Sequence, residues 1–408
     1  MFIFDKMKNL YDEFIILLLN KCINHNILFI KIFQSLSSNT YFSNKISNLF
    51  KKCTNNTNIN MDDINNNILS NILNKYNIKL SSTIPINSGM ISIVYKGIQI
   101  NTGKDIIVKI KKHNIENKIK YGFNEIVYLY NLFDVILYPF PGYHKLLSCI
   151  KSLKTSNKYL ENQVNFENEI NVIKKTYNEI NKLSSNIIIP EVLNQEDDLI
   201  NPGFIVMTYL DGKSCYEINE NEKINYAKIL LEYCIPQICF MTYVHSDLHP
   251  GNIIYMKSDT NELKVGIIDF GMYIEQTDHT KKSLYKICKI MYSSDDINKI
   301  EFINICNDII FHHKLNINEY TDDILDKIYD MYFNLFFTIK SGKIDEKYFH
   351  ELINKYNTIV NKTCTIKDNM IQILLSFTMI HSSIGFLLNF DELLLQQYSK
   401  EVIYNIMN

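Results

Sequence analysis

The chain has 408 residues, 46% of them hydrophobic, and a formal net charge of −2. That length exceeds one small domain and allows two or three lobes with a sizeable core. A near-neutral charge gives no sign of a nucleic-acid binder. Arginine and tryptophan are absent and Ala227 is the one alanine, while Asn, Ile, Lys and Tyr fill the space. This is the codon bias of an AT-rich genome, so lysine in place of arginine says little about function. Nine cysteines are scattered without a C-x-x-C pair, which suits free thiols in a reducing, cytoplasm-like compartment.

In chain order, residues 1–50 read as helices with short polar breaks, without a secretory signal or an Arg-rich transit segment. Residues 54–70 are Asn-rich and read as a loop or an exposed helix start. From Ser81 the texture becomes β-branched. Ile91-Ser-Ile-Val-Tyr-Lys-Gly and Asp105-Ile-Ile-Val-Lys-Ile flank Asn101-Thr-Gly, which predicts a hairpin. Residues 115–185 read as helices, and Phe204 to Leu210 as a strand closed by Asp211-Gly212. The remainder is mostly helical, except for two short strands at Asn252–Met256 and Leu263–Ile268. Met370 to Phe390 is the best membrane candidate, but Gln372, His381 and three serines interrupt it, so it reads as a buried helix. The layout is α+β. It divides into a helical extension (1–80), a small β-rich lobe (81–210) and a large helical lobe (211–408).

The stretch Val244-His-Ser-Asp-Leu-His-Pro-Gly-Asn252 concentrates chemistry. His245, Asp247 and His249 have zinc-like spacing on a strand, but no further ligand stands nearby and Pro-Gly breaks the segment. A phosphotransfer loop explains more. Such a loop carries an Asp base, an Asn five residues later for Mg²⁺, a short hairpin, and an Asp-Phe-Gly whose Asp binds Mg²⁺ again. Asp247, Asn252, the predicted hairpin and Asp269-Phe270-Gly271 follow in that order. Oxygen ligands from Asn and Asp suit a hard cation. Upstream, a strand lysine should neutralise nucleotide phosphates and be held by a helix glutamate. Lys109 is the lysine. Glu169 on an amphipathic helix is the favoured partner, and Glu125 is the alternative. The phosphate loop is the weak part, because Pro85 to Lys96 holds only Gly89.

These residues resemble the UbiB/ADCK (aarF-domain) atypical kinases. The fixed positions of H-x-D-x-H-P-G-N all recur in VHSDLHPGN, and VGIIDFGM is similar to that family's line. PINSGMISIVY fits the frame of its Ala-rich nucleotide loop, and FIKIFQSLSSN resembles its K-x-G-Q segment, with Lys31 and Gln34 in place. Gln163-Val-Asn165-Phe-Glu-Asn-Glu169 echoes its E-x-D helix line, and VMTYLDGKS looks like its hinge stretch. The resemblance implies a bilobal protein-kinase-like fold whose helical N-terminal extension covers the active site. It implies Mg²⁺ and ATP, or another nucleotide, as cofactors, and a lipid or small-molecule substrate in place of a protein. Asp247 would then be the base, with His249 assisting the transferring phosphate. Asn252 and Asp269 would hold the metal, and Lys109 with Glu169 would position the phosphates. Ser88, Gly89, Met207 and Tyr209 would line the nucleotide.

Three departures stand out. Phe33 replaces the glycine of K-x-G-Q, Gln163 and Asn165 replace two acids, and the Ala-rich loop is lost. A lysine facing amides has only neutral acceptors, worth about half as much as carboxylates. Lys31 is therefore expected to be held less firmly and the extension to open more easily. Two other classes compete with an active kinase or ATPase of this kind. One is a small-molecule phosphotransferase resembling the aminoglycoside and choline kinases, whose loop can also read H-G-D-L-H-P-G-N. The other is an inactive nucleotide-binding scaffold. The Lys104–Lys120 run reads as a solvated strand edge and helix, and peripheral membrane contact remains open.

Overall fold

The computed structural model describes scattered residues between 13 and 29, then 61–136, 163–200, 202–258, 260–292, 298–340 and 346–407. Lys31, Phe33 and Gln34 lie outside the described residues, as do residues 54–60 of the Asn-rich tract. The chain divides into two compact units, Met1–Ile170 with Val192–Tyr209, and Asn171–Glu191 with Leu210–Asn408.

The first unit is built on a five-stranded sheet. After helix α1 (Asn66–Lys75) come strands β1 (Ile78–Leu80), β2 (Asn87–Ser88), β3 (Ser92–Gln99) and β4 (Asp105–Lys111). Helices α2 (Ile115–Ile136) and α3 (Phe166–Ile180) and strand β6 (Phe204–Thr208) follow. The order β1-β3-β4-β6 is antiparallel throughout, with β2 also paired to β3. The expected hairpin is β3–β4, and Gly103 at its tip takes φ 69, a conformation glycine adopts without steric cost. Period-two alternation on β4 sends Ile106, Val108 and Ile110 into a core with Tyr76, Ile93, Tyr95 and Val206. Lys109 therefore faces the other way. Phe166, Ile170, Ile205, Ile115 and Leu28 form a second core.

Strand β1 falls within the stretch expected to be helical extension. It lies so close to β3 that a Cβ added at Gly97 would meet Ile78 Cγ2 at 2.8 Å and the Lys79 carbonyl oxygen at 2.9 Å. Gly97→Ala is expected to cost about 1–3 kcal/mol through this overpacking. A urea titration checks it, and an unchanged midpoint would show that β1 is not held at this spacing.

The second unit carries α4 (Glu220–Cys239) and five further helices: α5 (Asp278–Tyr292), α6 (Lys299–Ile310), α7 (Asp322–Lys340), α8 (Glu346–Val360) and α9 (Asp368–Leu387). A last helix, α10, spans Glu392–Met407. Two small sheets frame its loop region. Strands β5 (Ile187–Ile188), β9 (Leu263–Ile267) and β8 (Ile253–Lys257) form one, and β7 (Tyr243–His245) with β10 (Tyr273–Glu275) the other. The Asn369–Leu387 segment is long and apolar enough to cross a membrane, at mean hydropathy 1.6, but 67% of it is buried inside the protein. It packs as a core helix, as its interrupting polar residues imply.

Candidate active site

In the first unit, Lys109 Nζ lies 2.6 Å from Glu169 Oε1, with both side chains almost fully buried. Strand β4 presents the lysine, and the first turns of α3 present the glutamate. The Phe166 ring lies 5.5 Å from the ammonium, within range of a cation–π contact. Glu125, the alternative partner, instead accepts from Asn26 Nδ2 at 3.1 Å and lies 3.3 Å from His25 Nε2. Asn165 caps α3, its Oδ1 accepting from the Asn168 N–H at 3.2 Å. Asparagine is among the best N-caps, so this residue helps to fix the Glu169 helix. Gln163 is half-buried just before that cap.

The loop expected to meet phosphates is a tight turn between β2 and β3, closed by the Gly89 N–H donating to the Ser92 carbonyl at 3.0 Å. Ser88 is buried and Gly89 exposed. At Gly89 an added Cβ would meet nothing nearer than the Ser92 oxygen at 3.9 Å, so neither crowding nor φ demands glycine there. Met207 lies on β6 opposite Ile107. Just beyond the strand, the Tyr209 ring carries Lys96 Nζ 3.8 Å from its centroid. The lysine run does not form one cationic face. Lys109, Lys111, Lys112 and Lys118 each sit beside a carboxylate, of Glu169, Glu116, Asp63 and Asp63 respectively.

In the second unit, the VHSDLHPGN loop is held largely by its own groups. Asn252 Nδ2 donates to the Asp247 carbonyl at 2.8 Å, which turns Asn252 Oδ1 the other way, as an oxygen suited to a hard cation. His249 Nδ1 accepts from the Gly251 N–H at 3.1 Å. A Cβ at Gly251 would press on that ring at 2.9 Å, so glycine lets the imidazole fold over the turn. His245 is buried. Its Nδ1 accepts from the Asp247 N–H at 3.2 Å, and its Nε2 donates to the Ile268 carbonyl at 3.1 Å. The accepting Nδ1 fixes the neutral Nε2–H tautomer. Phe270 is buried against the same ring at 5.0 Å. Asp269, between these two anchors, is exposed with φ 61. A non-glycine residue rarely takes this conformation, and it marks sites where the surroundings impose it.

Burial pushes the His245 pKa down. The Ile268 carbonyl, Asp247 and Asp269 oppose that push without overcoming it, and His249 adds to it. The folded state therefore prefers neutral His245, and stability is lost as pH falls from about 6.5 through the depressed folded value. His245→Gln is expected to flatten this acid-side decline. Melting temperatures of both proteins from pH 8 to pH 5 check it, and parallel curves would contradict it.

Some functional candidates gave no recognisable sequence motif. Gln237 and Gln276, buried beneath the loop, showed only as single amides in otherwise apolar or loop sequence.

The family model of the ABC1 atypical kinase-like domain matches residues 49–302. More than half of the chain is covered, and the chain belongs to this family, with the α+β protein-kinase-like fold. The chain is 27% identical over 183 residues to the probable serine/threonine-protein kinase abkC of Dictyostelium discoideum, covering 44% of this chain and 25% of that protein. It is 28% identical over 200 residues to the probable protein kinase UbiB of Blochmanniella pennsylvanica, covering 46% and 34%. It thus spans between a quarter and about a third of these relatives' own lengths. The Rio2 kinase of Chaetomium thermophilum, solved as an ADP/Mg²⁺-phosphoaspartate complex, shares 11% identity at a TM-score of 0.34, covering 66% of this chain and 82% of that one.

Proposed function

We propose that the chain is an active atypical kinase or ATPase that uses Mg²⁺ and a nucleotide, with a lipid or small molecule of isoprenoid or quinone-like chemistry as acceptor. One observation carries the reading, the buried Lys109–Glu169 pair. Desolvating two charges commonly costs more than their attraction returns, and apolar residues of like volume often stabilise more. Orienting an ammonium toward phosphates explains the pair where stability alone does not.

In this reading Lys109 donates to the nucleotide phosphates and Glu169 fixes its direction. Ser88, Gly89, Met207 and Tyr209 contact the nucleotide. Asn252 Oδ1 and the Asp269 carboxylate are the oxygen donors that fit Mg²⁺. When bound, Mg²⁺ neutralises charge on the phosphate oxygens. Asp247 takes the proton of the attacking hydroxyl or water, and His249 offers its Nε2 to the transferring group. The lipid assignment rests on the family resemblance. Lys31, Gln34, Gln163 and Asn165 are proposed to govern how the extension opens.

The test is product analysis with γ-labelled ATP and Mg²⁺. Label entering a lipid extract supports the lipid-kinase reading, and release of phosphate alone supports an ATPase. Label on choline or an aminoglycoside would move the chain to the small-molecule phosphotransferases. Nucleotide binding without product would make it a scaffold.

A further inference from the structure

Helix α4 ends in Cys234-Ile-Pro-Gln237-Ile-Cys239, and Gln237 within it is wholly buried. Its Oε1 accepts from the His245 N–H at 3.3 Å. Its backbone carbonyl accepts from Gln276 Nε2 at 2.9 Å, and the same amide group reaches the Met241 carbonyl at 3.3 Å. The Gln276 N–H in turn donates to the Thr242 carbonyl at 2.9 Å. Two carbonyls facing the Gln276 amide require its NH₂ there, and an N–H facing Gln237 requires its oxygen there. Both orientations are therefore determined by their surroundings.

This arrangement grips one end of a short chain of contacts. His245 ends β7 opposite Tyr273 of β10. Its ring then holds the Asp247 N–H on one side and the Ile268 carbonyl on the other. Any shift of the His245 backbone moves both loops together. The grip also carries a penalty. Among the described residues, Gln237 Nε2 and Gln276 Oε1 are buried without a hydrogen-bond partner. Each such group lowers stability, a penalty that an apolar side chain would not carry. Packing alone gives no reason for two amides here.

We propose that Gln237 is a positioning residue for phosphotransfer. Acting through the His245 N–H, it sets where Asp247 stands, and Gln276 holds Gln237's own end of α4 in place. The catalytic part of this proposal rests on Asp247 being the base. The placement of His245 by Gln237 does not.

Two measurements keep these apart. The first is turnover of Gln237→Met, which keeps the volume but removes both the acceptor and the unpartnered donor. We expect kcat to fall roughly 10–100-fold, the size of effect that small misplacement of a catalytic group produces. Nucleotide KM is expected to stay within about twofold, as for a group acting only on the chemical step. The melting temperature is expected to stay close to wild type, because the His245 N–H left without its acceptor offsets the unpartnered Nε2 that is removed. Gln237→Glu, which keeps an acceptor oxygen, is expected to restore part of kcat. A Gln237→Met kcat within about twofold of wild type would overturn the catalytic role. The second measurement needs neither turnover nor a variant. Amide exchange of wild-type protein with ¹⁵N-histidine should show the His245 N–H strongly protected, with its ring as the Nε2–H tautomer. Rapid exchange at His245 would overturn the placement itself. If wild type shows no turnover while His245 is protected, the base assignment fails and the placement stands.

Discussion

Lys109→Met is expected to destabilise the folded protein by about 3–5 kcal/mol, the usual cost of leaving one buried charge without its counter-ion. Glu169 is only 1% exposed, so its carboxylate has little access to water once the ammonium is gone. Methionine keeps most of the aliphatic stem beside Phe166, so the loss is one of charge more than of packing. Lys109→Met/Glu169→Leu is therefore expected to recover most of the stability, because apolar residues of like volume replace buried ion pairs at little or no cost. On the proposed function, neither variant turns over nucleotide. Denaturant titrations of wild type, both single variants and the double variant form a closed cycle. Additive effects in that cycle would show that the two charges do not depend on each other.

Asp247→Asn is expected to lower turnover by about 10²–10⁴-fold, the range for loss of a general base, while nucleotide affinity stays close to wild type. The loop's own hydrogen bonds make this variant informative. Asn252 binds the Asp247 backbone carbonyl and His245 binds its backbone N–H. Both contacts survive a side-chain change, so a loss of rate reports the carboxylate and not a collapsed loop. Single-turnover kinetics at saturating nucleotide measure it. Retained turnover would remove Asp247 from the chemistry.

The sequence made the local parts of this architecture readable. The β3–β4 hairpin announced itself through β-branched runs around Asn101-Thr-Gly. The spacing of Asp247, Asn252 and Asp269 is readable along the chain because all three sit on one short loop–hairpin–loop unit. Choosing Glu169 over Glu125 was a long-range question, which the structure answers with Lys109–Glu169 at 2.6 Å. Strands of two or three residues, such as β2 and β5, are too short to show a period, and they form because a longer neighbour offers its edge. Pairing of β5 with β9 also draws Asn171–Glu191 into the second unit, a partition no composition shift marks. Asn165 also caps α3, a duty that depends on where the helix begins and so is not marked by the motif that singles the residue out. Gln237 carries no sequence signal because a buried amide is defined by its partner, and that partner, His245, lies on a strand eight residues further on.

The most direct test of the central claim is calorimetric titration of folded wild-type protein with ATP, with and without Mg²⁺, beside Asp269→Asn. The account predicts that wild type binds ATP more tightly with Mg²⁺, and that Asp269→Asn folds normally but loses that Mg²⁺-dependent gain. Folded wild-type protein that binds no nucleotide in the presence of Mg²⁺ would contradict it, and the phosphotransfer loop would then be a form without its chemistry.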